Sequence, residues 1–253
     1  MSLNIATLNV NGLRNKKKRE HTFNWLNSKK YAVICIQETH CSLDDVALWK
    51  SEWKTAGGVD SAWNCGTKES RGVAILFGKN FCENVSITND NPNGRVIRCD
   101  IKLDNALYHI SNVYAPNNGL ERKQFFESFH NLMGNFGDDS VDHYNIIVGD
   151  FNCALDKRLD RSPAHKSDDI GAKELKFLIN QYDLSDAWRE QYPSKKHFSF
   201  RRVNSSSRID YIFCSKSLNS NIFNTRISHF PFSDHDLVST KIKLDEIARG
   251  PGI

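Results

Sequence analysis

The sequence lacks the features that mark membrane-spanning and secreted proteins. No apolar run approaches the roughly 18 residues that are needed to cross a bilayer. The N-terminus, Met1-Ser-Leu-Asn, has no basic region followed by an apolar segment and therefore does not resemble a signal peptide. We expect no membrane partner and an intracellular, reducing location. Within the cell we expect the nucleus, because of the function that the motifs of this sequence indicate.

Paired cysteine motifs are also missing. The chain has seven cysteines, an odd number, and none of them forms a C-x-x-C pair. This pattern argues against a disulfide framework and against a zinc site. No internal repeat or linker interrupts the 253 residues. We expect one domain over residues 1–244, followed by a tail, or the start of a linker to a missing region, over residues 245–253.

The net charge of +4 is only mildly basic. It permits a polyanionic partner without requiring one. The basic residues are clustered, with Arg14 and Lys16–Arg19 near the start of the chain, and Lys195-Lys196 and Arg201-Arg202 late in it. Such runs are often only solvated faces. Here each cluster lies beside a motif that has the chemistry of a phosphate site.

Interleaved strands and helices predict an α/β fold. Several neighbouring strands are close enough for antiparallel pairing, so we expect two packed mixed sheets flanked by helices. The expected strands are 4–8, 32–36, 72–77, 96–101, 107–113, 145–148, 198–200, 209–213 and 238–243, with a weak strand between 80 and 93. We expect residues 201–207 to form an exposed hairpin loop between two of these strands. The expected helices are 19–28, 43–53, 119–136, 172–182 and 185–189. An apolar stripe of Phe125, Phe129, Leu132 and Phe136 supports the third helix.

Four polar motifs carry the chemistry. Three of them, Asn9–Gly12, Gln37–His40 and Gly149–Asn152, follow short apolar runs that read as buried strands. The fourth, Ser233–His235, adds an imidazole beside a carboxylate. Acidic side chains supply hard oxygen ligands for a divalent cation, and histidine can carry a proton. The set is suited to hydrolysis of a phosphate ester.

A carboxylate lies within another apolar strand. Asp210 is flanked by Ile209 and Tyr211-Ile212, and a carboxylate buried there needs a partner. His235 is the candidate, because a buried aspartate commonly orients a catalytic histidine. Tyr114 ends a further strand and would offer a phenol to a phosphate.

The motifs occur in an order that resembles the endonuclease/exonuclease/phosphatase superfamily. Several of them most resemble the endonuclease domain of non-LTR retrotransposons, and the similarity spans about Leu3 to Lys243. The motifs are Asn9–Arg14, Ile36–His40, Arg71–Ala74, Val113–Asn117, Gly149–Asn152, Ser207–Tyr211 and Ser233–His235, with Asp186–Arg189. The resemblance implies a four-layered, DNase I-like α/β sandwich.

The resemblance also implies a metal site. Glu38 would hold Mg²⁺, for which Mn²⁺ can substitute, while Asn9 and Asn11 would orient the ion and its water. Asp234 would contact the metal or a water. Many repair enzymes of the superfamily have aspartate where this chain has Asn11, and that difference puts a second metal site in doubt.

The same family assigns the catalytic groups. Asp150 would activate the attacking water, and Asn152 and Tyr114 would hold the phosphate. Asp210 would orient His235, which would stabilise the charge of the transition state.

These roles predict an endonuclease that nicks one strand of double-stranded DNA. The family chemistry leaves a 3′-hydroxyl and a 5′-phosphate, and the 3′-hydroxyl would prime reverse transcription by a reverse transcriptase domain of the parent polyprotein. The isolated domain would be a monomer. The candidate DNA-binding residues are Arg14, Lys16, Lys17, Arg71, Asn117, Ser199, Arg201, Arg202 and Arg208.

Three other functions remain open at this point. An apurinic-site repair endonuclease would use the same chemistry, and a phosphodiesterase of the superfamily would act on a small or lipid phosphate. A binding module without catalysis would require the loss of Glu38, Asp150, Asn152 or His235, and all four are present.

Overall fold

The structure is a computed structural model that describes residues 2–79, 81, 85–88, 93–103, 106–129 and 141–244. The expected tail over residues 245–253 lies outside these residues, as do Leu132 and Phe136 of the expected third helix. No helix of the described residues is both long and apolar enough to span a membrane.

The first of the two large sheets contains six of the described strands. They are β1 (Ser2–Asn9), β2 (Val33–Gln37), β3 (Asp60–Asn64), β4 (Val73–Phe77), β14 (Ile222–Ser228) and β15 (Leu237–Lys243). Their spatial order is β14-β15-β1-β2-β4-β3. β1 and β2 are parallel, and the other neighbours are antiparallel. All five residues of β2 are buried, as expected for a strand covered on both faces.

The second sheet also contains six described strands. They are β5 (Val85–Thr88), β6 (Val96–Leu103), β7 (Ala106–Tyr114), β8 (Asp142–Asp150), β10 (Leu184–Asp186) and β13 (Asp210–Ser215). Their spatial order is β10-β13-β8-β7-β6-β5, and β7 and β8 are parallel. A small third sheet, in the order β11-β12-β9, joins β9 (Arg161–Ser162), β11 (Phe200–Arg202) and β12 (Ser205–Ser207).

Five α-helices and two 3₁₀ turns lie within the described residues. The helices are α1 (Lys16–Ser28), α2 (Val46–Thr55), α3 (Gly119–Glu127), α4 (Ala172–Gln181) and α5 (Ala187–Gln191). The 3₁₀ turns are Leu43–Asp45 and Lys216–Asn221. Helices α1 and α3 begin at side-chain caps, since Asn15 accepts from the Lys18 amide at 3.0 Å and Asn118 accepts from the Leu120 amide at 3.0 Å.

The central core lies between the two large sheets. Ile5 and Ile75 of the first sheet share one apolar cluster with Ile110, Ile146 and Ile212 of the second. All five are essentially inaccessible to solvent. Burial of each such side chain contributes about 1.5–3 kcal/mol, so this interface is a main source of stability.

The outer faces of the sheets are covered by helices. On the first sheet, Ile34 packs with Phe23 of α1 and Trp53 of α2. On the second, Ile147 packs with Leu175 of α4. The layers are therefore helix, sheet, sheet and helix, and the expected four-layered α/β sandwich is confirmed.

The strand directions bring the polar motifs to one edge. The carboxyl ends of the parallel strands β1 and β2 lie side by side, as do those of β7 and β8. The antiparallel strands β13 and β15 begin at the same edge, where Asp210 pairs with Asp150 in the register. A ligand site at this edge follows from the topology.

Each strand with an explicit predicted range is present, but several elements differ from expectation. β3, β9, β10, β12 and β14 were not predicted, and they are short or rich in polar residues. The strand expected over 198–200 begins only at Phe200, as β11. The described part of the third helix ends at Glu127. Phe126 within the helix and Phe129 just beyond its end are buried, and Phe125 is partly buried and packs against the same apolar cluster.

Candidate active site

Asn9 joins the two sheets at the site. It ends β1 and is fully buried, and its side-chain amide donates to Glu38 Oε1 at 2.8 Å and to Asp150 Oδ2 at 2.9 Å. Glu38 follows β2 of the first sheet, whereas Asp150 ends β8 of the second. Asn9 Oδ1 accepts from the Asn11 amide at 2.9 Å. This geometry favours Asn9 as the residue that fixes the separation of two carboxylates.

The Glu38 carboxylate is strongly stabilised in its ionised form. Burial would raise its pKa, but hydrogen bonds from His40, Asn9 and Tyr114 lower the pKa to about 2. The Nε2 atom of His40 lies 3.7 Å from Glu38 Oε2. Glu38 therefore presents a full negative charge at neutral pH, as a ligand for a cation should.

Asp150 lies deeper, at the junction between β7, β8 and β13. It is fully buried, and burial together with the nearby Asp210 raises its pKa well above the ordinary range. The preceding Gly149 permits close packing, because a Cβ atom there would lie 1.9 Å from the Val113 carbonyl oxygen. Glycine at this position therefore allows the backbones of β7 and β8 to approach closely.

Asn152 reaches the site by a turn. The extended backbone ends at Asp150, and Asn152 adopts a positive φ of 49°. Its backbone amide donates to Asp150 Oδ1 at 2.8 Å, and its side chain donates to the Ala115 carbonyl at 2.9 Å. Asp150 and Asn152 therefore do not project from one face of a continuing strand, although both residues border the site.

His235 and Asp210 form a buried pair. His235 Nδ1 lies 2.9 Å from Asp210 Oδ2, and its Nε2 lies 3.9 Å from Asp150 Oδ2. Burial opposes the imidazolium form, but Asp210 and then Asp150 and Asp234 raise the pKa of His235 to about 10. The expected contact between Asp210 and His235 is confirmed, and it favours a protonated histidine that faces Asp150.

Tyr114 completes the wall of the site. It ends β7 directly beside Asp150 in the parallel register. Burial and the charge of Glu38 raise the pKa of its phenol above the usual range, so the group remains a hydrogen-bond donor at neutral pH. Its position beside two carboxylates is consistent with a role in contacting an anionic substrate.

A more accessible corner holds Asn11 and Asp234. The Asn11 side-chain amide donates to Asp234 Oδ1 at 3.1 Å. Lys18 of α1 donates to the Asn11 carbonyl at 2.6 Å. Burial lowers the pKa of Lys18, although Asp234 and Glu38 act in the opposite direction. A fixed cation therefore borders this corner of the site.

The donor set can hold a divalent cation. Asp150, Asp210 and His235 offer ligand atoms that all lie within 4.8 Å of one another. A second, more accessible set of oxygen atoms comes from Glu38 and Asp234, which bond Asn9 and Asn11 respectively. Mg²⁺ prefers oxygen ligands and keeps several waters. Glu38 and Asp234 reach solvent, whereas the trio is almost completely buried.

Backbone strain is concentrated at the same edge. Among the described residues, eight non-glycine residues have a positive φ, and five of them border the site. These five are Asn11, Glu38, His40, Arg71 and Asn152. Such conformations cost of order 1–3 kcal/mol each and persist where the surrounding structure enforces them, typically at functional sites.

Residues 6–235 match the Endonuclease/Exonuclease/phosphatase family. The chain belongs to this family. It is 38% identical over 248 residues to the Transposon TX1 uncharacterized 149 kDa protein of Xenopus laevis. The match covers 96% of this chain but only 18% of that protein. The chain is also 24% identical to an exodeoxyribonuclease of Bacillus subtilis (strain 168), over 89% of this chain and 93% of the relative.

Two solved structures have the same fold. An AP endonuclease from Archaeoglobus fulgidus superposes with a TM-score of 0.78 at 21% identity, covering 96% of this chain and 100% of the other. An AP endonuclease from Leishmania major gives a TM-score of 0.78 at 18% identity, covering 96% and 88%. At these identities, the likeness establishes the DNase I-like architecture.

Most candidate DNA-binding side chains of this family member are exposed. Exposed residues are Arg14, Lys16, Lys17, Arg71, Asn117, Arg201 and Arg202. Two of them are engaged within the protein, since Arg14 pairs with Asp45 and Arg201 pairs with Asp236. Lys16 lies 3.8 Å from Glu20, one helical turn away.

The structure corrects two of the candidates. Ser199 is fully buried, and its hydroxyl donates to Asp210 Oδ2 at 2.6 Å. Arg208 is also buried, 2.8 Å from Asp160 and 2.6 Å from Asp186. Neither side chain has a surface through which to contact DNA. Ser199 instead positions the aspartate that contacts His235, and Arg208 neutralises two carboxylates in the core.

Sequence reasoning gave no role to three residues near the site. His40 belongs to the Gln37–His40 motif, and its position in that motif is the sequence feature that could have identified it. Lys18 lies in the basic cluster, and only its spacing along the first turn of α1 distinguishes it. Arg95 follows a loop, and its side chain donates to the Tyr114 carbonyl at 3.2 Å.

Proposed function

We propose that this protein is a metal-dependent DNA endonuclease that nicks one strand of an intact duplex. The observation that carries the proposal is the convergence of Glu38, Asp150 and His235 around Asn9, at one edge of the two sheets. This arrangement supplies a cation ligand, a group for the attacking water and an imidazolium. Phosphodiester hydrolysis needs all three.

In the proposed reaction, one group of residues holds the cation, and a second group acts on the water and the phosphate. Glu38 and Asp234, with Asn9 and Asn11 beside them, would hold Mg²⁺ or Mn²⁺. The bound cation would neutralise charge on the phosphate and on the leaving oxygen. This role needs only one ion, and Lys18 already supplies a fixed positive charge beside Asn11.

The remaining residues act on the water and the phosphate. Asp150 orients the water and accepts its proton as the new P–O bond forms. The bond from phosphorus to the 3′ oxygen breaks, and this oxygen takes a proton from solvent water, so the products are a 3′-hydroxyl and a 5′-phosphate. His235, held by Asp210, stabilises the extra negative charge, while Asn152 and Tyr114 bind the phosphate oxygens.

The transposon relative supports a specific biological use. A 3′-hydroxyl at the nick is the primer that reverse transcription requires. We infer that the domain is part of a longer polyprotein with a reverse transcriptase domain, and that it acts in the nucleus. The chain spans less than a fifth of the transposon relative, which agrees with a parent of several domains. As an isolated domain it would be a monomer.

Repair of abasic sites is the second candidate function. The observation in its favour is the structural likeness to AP endonucleases, with TM-scores of 0.78. Its chemistry would be the same, so the site alone does not separate the two functions. The greater sequence identity to the transposon protein favours target-site nicking. A small-molecule or lipid phosphodiesterase is less well supported, because basic side chains surround the exposed edge.

Plasmid nicking tests the proposal. Supercoiled plasmid incubated with the protein and Mg²⁺ should become open circular, and a chelator should abolish the conversion. A DNA ligase should reseal the nicks, since it requires adjoining 3′-hydroxyl and 5′-phosphate ends. The mapped nicks should cluster at preferred sites. Conversion without added metal, or ends that resist ligation, would contradict the proposed chemistry.

A further inference from the structure

We propose that Arg71 and Arg95 together form a subsite for one DNA phosphate next to the phosphate that is cut. This inference rests on the proposed function, because it assumes a DNA substrate. It adds a residue, Arg95, that the sequence did not single out, and it assigns both guanidinium groups to one phosphodiester.

The backbone brings the two arginines together at the mouth of the site. The Gly72 amide donates to the Gly94 carbonyl at 3.0 Å, so Arg71 and Arg95 flank a direct backbone contact. The approach is close enough that a Cβ atom at Gly94 would lie 2.8 Å from Gly66 Cα. The arrangement is therefore built into the packing of two loops.

Both arginines also contact elements of the catalytic centre. The carbonyl of Arg71 accepts from the His40 amide at 2.9 Å, and His40 lies beside Glu38. The guanidinium of Arg95 donates to the Tyr114 carbonyl at 3.2 Å and lies 5.5 Å from the centroid of the tyrosine ring. A phosphate held by these side chains would lie close to one that contacts Tyr114.

The charge of the pair is offset only from a distance, because Glu121 and Glu38 act on Arg95 without forming an ion pair with it. Throughout the described parts of the chain, neither Arg71 nor Arg95 forms an ion pair within 4.0 Å of a carboxylate. Seven other arginines do form such pairs: Arg14, Arg19, Arg98, Arg161, Arg189, Arg201 and Arg208. Arg71 and Arg95, at the mouth of the site, repel each other. Burial of Arg95 and the charge of Arg71 lower the pKa of Arg95.

A phosphodiester is the ligand whose negative charge would offset the repulsion between the two guanidinium groups. Guanidinium groups bind phosphate oxygens in a planar, often bidentate geometry, and one phosphate can accept from two of them. The backbone of Arg71 has a positive φ of 65°, which is strained for this residue. Strain and unpaired charge at one place are typical of a site arranged for a ligand.

Single methylphosphonate substitutions test the subsite. The substrate is a duplex oligonucleotide that contains a mapped nick position, with one phosphate of the cut strand made neutral in each version. Binding is measured by fluorescence anisotropy with an Asp150→Asn background, so that the DNA stays intact. One neutral phosphate, within two nucleotides of the scissile bond, should weaken binding by about tenfold or more.

The arginine variants then identify the protein partner. Arg71→Met and Arg95→Met, each in the same background, should weaken binding to normal DNA and reduce the salt slope by about 1. With the methylphosphonate at the sensitive position, each variant should lose little further affinity, because the interaction is already absent. Arg95→Lys should retain part of the affinity, since it keeps the charge and loses the planar fork.

Arg226→Met is the matched control. Arg226 is exposed and interacts with Tyr31, which lies near the start of β2, whereas Glu38 follows its end. The same loss of charge at this opposite edge should leave the methylphosphonate pattern unchanged. Arg71 has an exposed side chain, so its variant should fold even if Arg95→Met does not.

Two results would overturn the subsite. One is full additivity, in which the arginine variants and every methylphosphonate weaken binding independently. The other is a loss of affinity in Arg226→Met equal to that in Arg71→Met. Failure of the parent protein to nick any DNA would instead count against the proposed function, so the two failures are distinguishable.

Discussion

At the scale of single residues, the site depends on side chains that hold other side chains. Asn9 binds two carboxylates, and Ser199 binds the aspartate that faces His235. Neither residue needs to touch the substrate. The groups proposed to act on the phosphate, Asp150 and His235, are both almost inaccessible to solvent. Their orientation is therefore set by the protein before DNA binds, as electrostatic stabilisation of a transition state requires.

Replacement of Asp150 or His235 by alanine should abolish most nicking and leave DNA binding largely intact. Both residues are proposed to act in the transition state, and such changes reduce rate more than affinity. We expect a loss of about 10²–10⁴ in the rate of plasmid nicking. Affinity for the same DNA is the control. An Asp150→Ala variant that nicks within about threefold of the parent would refute the assignment.

Arg208→Met should destabilise the fold without changing how binding depends on salt. The substitution leaves Asp186 without its ion-pair partner and Asp160 with Arg189 alone, and breaking a buried ion pair costs about 3–5 kcal/mol. Urea unfolding should show this loss, whereas Arg158→Met, at an exposed position, should stay within about 0.5 kcal/mol of the parent. If a folded Arg208→Met protein showed a lower salt slope, that result would support the direct contact between Arg208 and DNA that the sequence predicted.

At the scale of secondary-structure elements, the hairpin of β11 and β12 has two distinct parts. Its base supports the site, because the Arg201 amide donates to the Asp234 carbonyl at 3.1 Å and Phe200 lies 4.7 Å from His235 between ring centroids. Its tip projects into solvent, and Val203 is 99% exposed. The sequence predicted one loop over Arg201–Ser207, and the structure shows that only the tip is free of contacts with the site.

Replacement of the tip, Arg202–Ser205, by Gly and Ser residues should preserve metal-dependent cleavage and redistribute the nicks. An exposed loop with a basic side chain beside a rigid site can select DNA through shape and contacts. The measurement is a sequenced nick map of one plasmid, compared with that of the parent. If the two maps coincide and only the rate differs, site selection depends on other residues, and Arg14–Arg19 is the next segment to test.

Sequence patterns predicted most elements that form the two large sheets. Buried strands such as β2 and β4 are continuous apolar runs, which are visible without a structure. β14 contains Asn224 and Arg226 and lies at the edge of its sheet, so its polar residues obscured it. Sequence patterns were also of limited use in predicting the site. Motifs placed Glu38 and Asp150 at strand ends, but the burial of Ser199 and Arg208 depends on partners distant along the chain.

At the scale of the whole molecule, the site exists only where both sheets meet. Glu38 belongs to one sheet, Asp150 and Asp210 belong to the other, and His235 precedes β15 of the first. Chain segments more than 140 residues apart therefore converge on Asn9, which bonds Asp150 across a separation of 141 residues. This architecture is shared with AP endonucleases, so the fold itself does not determine which DNA is cut.

The choice between intact and abasic DNA is a property of the complete surface around that site. A transposing element must cut undamaged chromosomes, so we expect nicking of an intact duplex at rates comparable to those on a duplex with one abasic site. The relation to the transposon protein, at 38% identity, motivates this expectation. The measurement compares kcat/KM for two oligonucleotides that differ only at the abasic position and contain a mapped nick site. Asp150→Ala on both substrates controls for spontaneous breakage of the abasic strand. A preference of about 10³ or more for the abasic duplex, equivalent to roughly 4 kcal/mol, would identify a repair enzyme instead.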